Sequence, residues 1–145
     1  MKPNLTHLAL HVEHLDDCVQ FYQKYCQMHV IHERVKRNNR VIWIAEAGRE
    51  HELVMVLLGG GTRYKPLDTD FSHLGFAVES KTEVDRIACE AKQEGVLVWK
   101  PVQEPYPVGY YCGLIDPNGT YVEFSYGQPL GPGSENMQLK IDDSK

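Results

Sequence analysis

The stretch Ser72-His73-Leu74-Gly75-Phe76-Ala77-Val78 decides how the rest of the chain is read. Its strict alternation predicts a strand, with Leu74, Phe76 and Val78 on one face and His73, Gly75 and Ala77 on the other. The apolar face needs a covering helix, and the segment that follows supplies one. The opposite face sets one imidazole beside two residues almost without side chains, which leaves room in front of the histidine. Taken alone, such a histidine reads first as a core residue.

The pattern occurs twice. Near the N-terminus, Thr6-His7-Leu8-Ala9-Leu10-His11-Val12 again alternates large apolar residues with a histidine and a small residue, at an offset of 73 − 7 = 66 residues. Each strand is followed at the same distance by an amphipathic helix. The first helix runs to about Gln27, with Leu15, Val19, Tyr22 and Cys26 at helical spacing and Asp16 or Asp17 as the expected cap. The second spans Thr82 to Glu94, with Val84, Ile87, Ala88 and Ala91 inward and Gly95 as C-cap. Three strands follow each helix: 29–35, 40–45 and 52–58, then 96–100, 110–115 and 120–126. The turn at 36–39 carries Asn38-Asn39, which tolerate left-handed backbone. Asp116-Pro117-Asn118-Gly119 is a second turn, where proline presets one dihedral and Asn-Gly accepts positive φ. The organisation expected is a first module over 1–58, a linker over 59–71, a second module over 72–127 and a polar tail over 128–145, loosely ordered and dispensable for stability.

Size and charge narrow the function. At 145 residues the chain is long enough for one substantial core. A net charge of −5 and a pI near 5.8 argue against nucleic-acid or anionic-membrane partners. No apolar run reaches membrane-spanning length, and the chain enters its first strand almost at once, so no signal peptide is expected. Cys18, Cys26, Cys89 and Cys112 lack metal-type spacing; the first three fall on helices, where a thiol usually behaves as a small buried hydrophobe. A reduced, cytoplasmic protein is the expectation. The glycines at 59–61 lack the Lys-Ser/Thr pair and following helix of a phosphate loop, so they read as linker, with Arg63 and Lys65 free to reach a neighbouring site.

Two copies of strand–helix–three strands, a histidine on each first strand, and Asp116-Pro117-Asn118-Gly119-Thr120-Tyr121-Val122-Glu123-Phe124 closing the second copy resemble the vicinal oxygen chelate (VOC) superfamily. That group includes glyoxalase I, extradiol catechol dioxygenases, fosfomycin-resistance enzymes and bleomycin-binding proteins. The resemblance covers about residues 4–127. It implies an α+β fold of tandem βαβββ modules around a shared metal-binding cleft, with ligands from the first and last strands of each module. The matching positions here are His7, His73 and Glu123. Carrying Glu123 back by about 68 residues puts Met55 at the fourth position, while Glu52 falls on the other strand face, toward solvent.

Two imidazoles and one carboxylate suit a divalent metal ion (Fe, Mn, Zn, Ni or Co) with positions left open for substrate. The set matches the ligand pattern of extradiol dioxygenases, and fosfomycin-resistance enzymes share the same three ligand types, so the pattern does not decide alone; the first expectation is a divalent-metal enzyme acting on a small oxygen-chelating substrate, with an extradiol-dioxygenase-like site. The alternatives are a glyoxalase I-like lyase or isomerase, a fosfomycin-resistance-type transferase, and a metal-free ligand- or antibiotic-binding protein. Met55 cannot take a proton, which counts against the isomerase. Tyr110 and His11 are the expected catalytic groups beyond the metal, with Tyr106 nearby; counting back across the hairpin pairs Cys112 with Glu123 and so puts Tyr110 on the cleft side. The partners expected are a small-molecule substrate and a second copy of the chain as a homodimer, without nucleic acid or membrane.

Overall fold

The computed structural model describes residues 2–134. The chain divides into two compact units: residues up to 67 together with 116–119, and 68–115 together with the chain from 120 onward. Each unit holds one βαβββ module.

In the first unit the order is β1 (His7–His11), α1 (Leu15–Cys26), β2 (Met28–Lys36), β3 (Asn39–Glu46) and β4 (Val54–Leu58), in a sheet ordered β1-β4-β3-β2. β1 runs parallel to β4, and the other neighbours are antiparallel. The helix packs on β2 and β3 and buries Leu15, Cys18, Val19, Phe21, Tyr22 and Tyr25. Neither aspartate caps it: His14 holds the N-cap without a side-chain bond, and Asp16 pairs with Arg40 at 2.9 Å instead. The β2–β3 hairpin closes on two left-handed residues, as its tight twist requires, but these are Arg37 and Asn38 (φ 51° and 66°), one position earlier than expected.

The second unit repeats the plan with β5 (His73–Ala77), α2 (Lys81–Glu94), β6 (Leu97–Glu104), β7 (Gly109–Ile115) and β8 (Tyr121–Tyr126), ordered β5-β8-β7-β6. The Ser80 hydroxyl caps α2 by accepting from the Glu83 amide at 3.1 Å, and Gly95 ends it in the left-handed region. The four inward residues expected are the four buried ones, Val84, Ile87, Ala88 and Ala91. β6 is longer than its sequence suggests. Its register shifts between Leu97 and Trp99 and again between Trp99 and Val102, and the irregularity accommodates Pro101 inside the strand.

The Asp116–Gly119 turn belongs to the first unit through its bonds. Tyr22 donates its hydroxyl to Asp116 Oδ2 at 2.6 Å, and the Asn118 amide donates to Asp116 Oδ1 at 2.8 Å. Asn118 Oδ1 accepts the Glu13 amide at 3.0 Å, and Arg63, expected to reach a site, donates instead to the Pro117 carbonyl at 3.3 Å. Gly119 (φ 90°) lies so close to the Tyr64 carbonyl that a Cβ would come within 1.9 Å of its oxygen.

Two further expectations change. Cys18 and Cys112 are buried thiols, but Cys89 on α2 is exposed. The start of the tail is built into the second unit, since the Gly127 amide bonds to the Pro132 carbonyl at 3.4 Å and a Cβ on Gly131 would meet Ala77. Residues 135–145 of the expected loose tail lie outside the described residues. Among the described residues no helix is long and apolar enough to cross a membrane.

Candidate functional site

The second unit places chemistry on one face of its sheet by register. Parallel pairing sets His73 beside Tyr121 and Gly75 beside Glu123, and antiparallel pairing sets Gly113 beside Glu123. Partners across a ladder share a face, so His73, Gly75, Tyr111, Gly113 and Glu123 lie together, while Leu74, Phe76, Cys112, Leu114, Val122 and Phe124 share the face that α2 covers. The first face opens into a cavity of about 620 Å³. Its floor is His73, Gly75 and Glu123, and its aromatic walls are Phe71, Trp99 and Tyr111.

His73 is oriented by a backbone bond. Its Nδ1 donates to the Phe71 carbonyl at 2.6 Å, so in the neutral ring Nε2 keeps its lone pair. That nitrogen lies 3.9 Å from Glu123 Oε1. Glu123 is only 7% exposed, and Gln128 donates to its Oε2 at 3.2 Å. Among the described residues its only ion-pair partner is His73. Metal–ligand bonds of about 2.1 Å let one ion reach two donors up to roughly 4.2 Å apart, so the pair fits a shared divalent cation. The oriented imidazole and the amide-bonded carboxylate are the kind of outer support such ligands have. Gly75 keeps the approach open, since even a Cβ there would stand 3.6 Å from Glu123 Oε2. Among the described residues, no group of three or more His, Cys, Asp or Glu side chains is arranged to hold a metal ion.

His7 sits in the first unit at the matching strand position, opposite Val54 as His73 is opposite Tyr121. Its ring is exposed and its Nδ1 lies 3.0 Å from the Thr6 hydroxyl. The alternation expected along β1 holds: Leu8 and Leu10 are partly buried, whereas His7, Ala9 and His11 are exposed. His11 Nε2 donates to the Gly59 carbonyl at 3.1 Å, which ties this ring to the glycine segment.

The structure moves two residues of the expected constellation. The repeat offset along the last strands is 121 − 54 = 67, so the counterpart of Glu123 is Val56, which pairs with Ala9 as Glu123 pairs with Gly75. Met55 pairs with Leu8 and Ile44 and is buried, 5% exposed, on the other face. The absence of a carboxylate at that position stands, with valine as the residue there. Glu52 faces solvent, its side chain 65% exposed and paired with Arg49 at 2.9 Å. Tyr110 is also displaced. The β7–β8 turn pairs Cys112 with Phe124, one residue off the expected register, so Tyr110 lies on the α2 face and donates its hydroxyl to Asp85. The tyrosine on the Glu123 face is Tyr111. Its hydroxyl is pushed above the usual range by burial and by hydrogen bonding to Glu104, which also lines the cavity. Tyr106 is exposed.

Trp99, Tyr111, Glu104 and Gln128 had no signal in local pattern. Trp99 is placed by a bulged strand and by Gly113, against which its indole lies so closely that a Cβ would come within 2.1 Å of Trp99 Cε3.

Three comparisons bear on this arrangement. The chain is 53% identical over 139 residues to the uncharacterized protein PA2024 of Pseudomonas aeruginosa, covering 96% of this chain and 99% of that protein. Its fold is similar to that of a mutant of the Listeria monocytogenes fosfomycin resistance protein FosX, solved with Mn(II) and 1S,2S-dihydroxypropylphosphonic acid. There the TM-score is 0.65 at 21% identity, covering 86% of this chain and 93% of that one. It is also similar to a glyoxylase/bleomycin resistance protein/dioxygenase domain from Frankia sp. EAN1pec, with a TM-score of 0.67 at 19% identity over 86% and 97% of the two chains. Residues 4–124 match the family model described as glyoxalase/bleomycin resistance protein/dioxygenase superfamily. With its two βαβββ modules, each built on a mixed four-stranded sheet, the chain belongs to the glyoxalase/bleomycin resistance protein/dioxygenase superfamily, the VOC superfamily.

Proposed function

We propose that this protein is a divalent-metal enzyme acting on a small aromatic molecule with two adjacent oxygens, in the manner of extradiol dioxygenases. The observation that carries the reading is the His73 Nε2–Glu123 Oε1 pair, 3.9 Å apart on the floor of an aromatic-walled cavity. His7, at the equivalent position of the repeat, is the third ligand of the proposal. A divalent ion held by these residues would supply Lewis acidity toward the two substrate oxygens.

The protein's own groups have defined tasks. The Phe71 carbonyl fixes the tautomer that aims His73 Nε2 into the cavity, and the Gln128 amide donates to Glu123 and keeps its carboxylate in an acceptor role. Phe71, Trp99 and Tyr111 hold a planar ring and exclude water around it. Val56 favours this reading over a glyoxalase I-like isomerase, because an alkyl side chain cannot serve as the second carboxylate base.

The test is metal content of protein purified without chelator. Wild type and Glu52→Gln should retain a divalent ion, and Glu123→Gln and His7→Ala should lose it. A full complement of metal in Glu123→Gln would overturn the site, and a wild type without metal would favour a metal-free binding protein. Aromatic vicinal diols should then be turned over by the Fe(II)- or Mn(II)-loaded wild type with uptake of O₂.

A further inference from the structure

The cavity in the second unit carries a second polar feature that the metal pair does not use. Glu104 ends β6 opposite Gly109, on the sheet face that also carries Tyr111 and Gly113. Glu104 and Tyr111 line the same cavity as His73 and Glu123. Tyr111 lies two residues along β7 from Gly113, the partner of Glu123, which is a separation of about 7 Å along the strand. Glu104 therefore stands one ring and a short arm away from the position where the two substrate oxygens would sit. Among the described residues lining the cavity there are two carboxylates, Glu104 and Glu123, and no lysine or arginine.

This charge pattern selects against one class of ligand and for another. An anionic group at the end of that arm would stand against the Glu104 carboxylate, with no lysine or arginine among the described lining residues to pair with it. An ammonium group placed beside Glu104 gains a charge-assisted hydrogen bond. We propose that Glu104 is the specificity-determining residue of this site, and that the substrate is an aromatic vicinal diol bearing a cationic amine on a short side arm. The proposal rests on the functional reading above for the diol and stands independently of it for the amine.

Three probes of matched shape separate the terms: 4-(2-aminoethyl)catechol, 4-methylcatechol and 3,4-dihydroxyphenylacetate. Binding is read by quenching of tryptophan emission, with Trp99→Phe as the control that removes the Trp99 contribution and leaves that of Trp43. In the metal-free protein the amine should bind about tenfold more tightly than the neutral diol, and the acid more weakly still, a ranking that salt should compress. Glu104→Gln should bring amine and neutral probe within about threefold of each other, and Glu104→Lys should invert the ranking in favour of the acid. Equal affinities, a preference for the acid in wild type, or no binding of any probe would overturn the proposal. A charge ranking as expected in a protein that never takes up metal would leave the proposal standing and defeat only the enzyme reading. Metal uptake with a flat ranking would do the reverse.

Discussion

Gly113→Ala tests how the cavity wall is built. A Cβ at this position would stand 2.1 Å from Trp99 Cε3 and 2.6 Å from Cδ2, whereas ordinary contact begins at 3.4 Å. The indole must then withdraw by at least 3.4 − 2.1 = 1.3 Å, or β6 must lift away from β7. Overpacking of this kind costs about 1–3 kcal/mol, offset by about 0.5–1 kcal/mol for removing a glycine from a strand interior. A net loss of about 1–2 kcal/mol corresponds to a Tm lower by roughly 2–8 °C in a chain of this size. The assay is a double-mutant cycle by thermal melting with Trp99→Ala as the second substitution. With the indole gone, the alanine should be neutral or stabilising, so the coupling should recover most of the loss. Emission from Trp99, whose ring centroid lies 5.6 Å from that of His73, should shift in Gly113→Ala as its surroundings change. If Gly113→Ala were as stable as the parent with Trp99 emission unchanged, or if its penalty persisted without the indole, the glycine would not be what seats the tryptophan.

Two other outcomes follow from buried groups. Tyr22→Phe removes the hydroxyl that donates to Asp116, a carboxylate only 2% exposed, and should lower stability by about 1.5–3 kcal/mol; a loss under about 0.5 kcal/mol by urea titration would contradict this role. Burial pushes the thiols of Cys18 and Cys112 up from 9.0 to about 12. Because the folded values are raised, that stability is fully present below pH 9 and drains away as pH climbs toward 12, at about 1.4 kcal/mol per pH unit for each thiol. Cys112→Ala should make the decline in stability over that range shallower, and a slope unchanged from wild type would refute the assignment.

Local chemistry made much of the fold legible. Period-two alternation around His7 and His73 declared two first strands, and the 3.6-residue spacing of Val84, Ile87, Ala88 and Ala91 declared the face of α2 that is buried. The repeat made His7 and His73 equivalents, and the family resemblance added Glu123 as the third candidate ligand. Each of these features depends only on neighbours within one element, which sequence order preserves.

Which face each residue occupies was another matter, because a strand changes face with every residue and a slip of one inverts all assignments. Ile115 pairs with Tyr121, so the β7–β8 connection takes five residues where the Asp-Pro-Asn-Gly turn by itself suggests four, and Tyr111 replaces Tyr110 on the Glu123 face. The same one-residue margin separates Val56 from Met55. The loop length is set by the Tyr22–Asp116 bond, the Asn118 contacts and the fit of Gly119 against the Tyr64 carbonyl. Those partners lie tens of residues away in the chain, and the Gly113 surface that receives Trp99 lies across a bulged strand pair. Sequence periodicity determined the elements, and the family resemblance supplied the candidate ligands; tertiary packing decided the parity of the loops, and with it which side chains share the cavity.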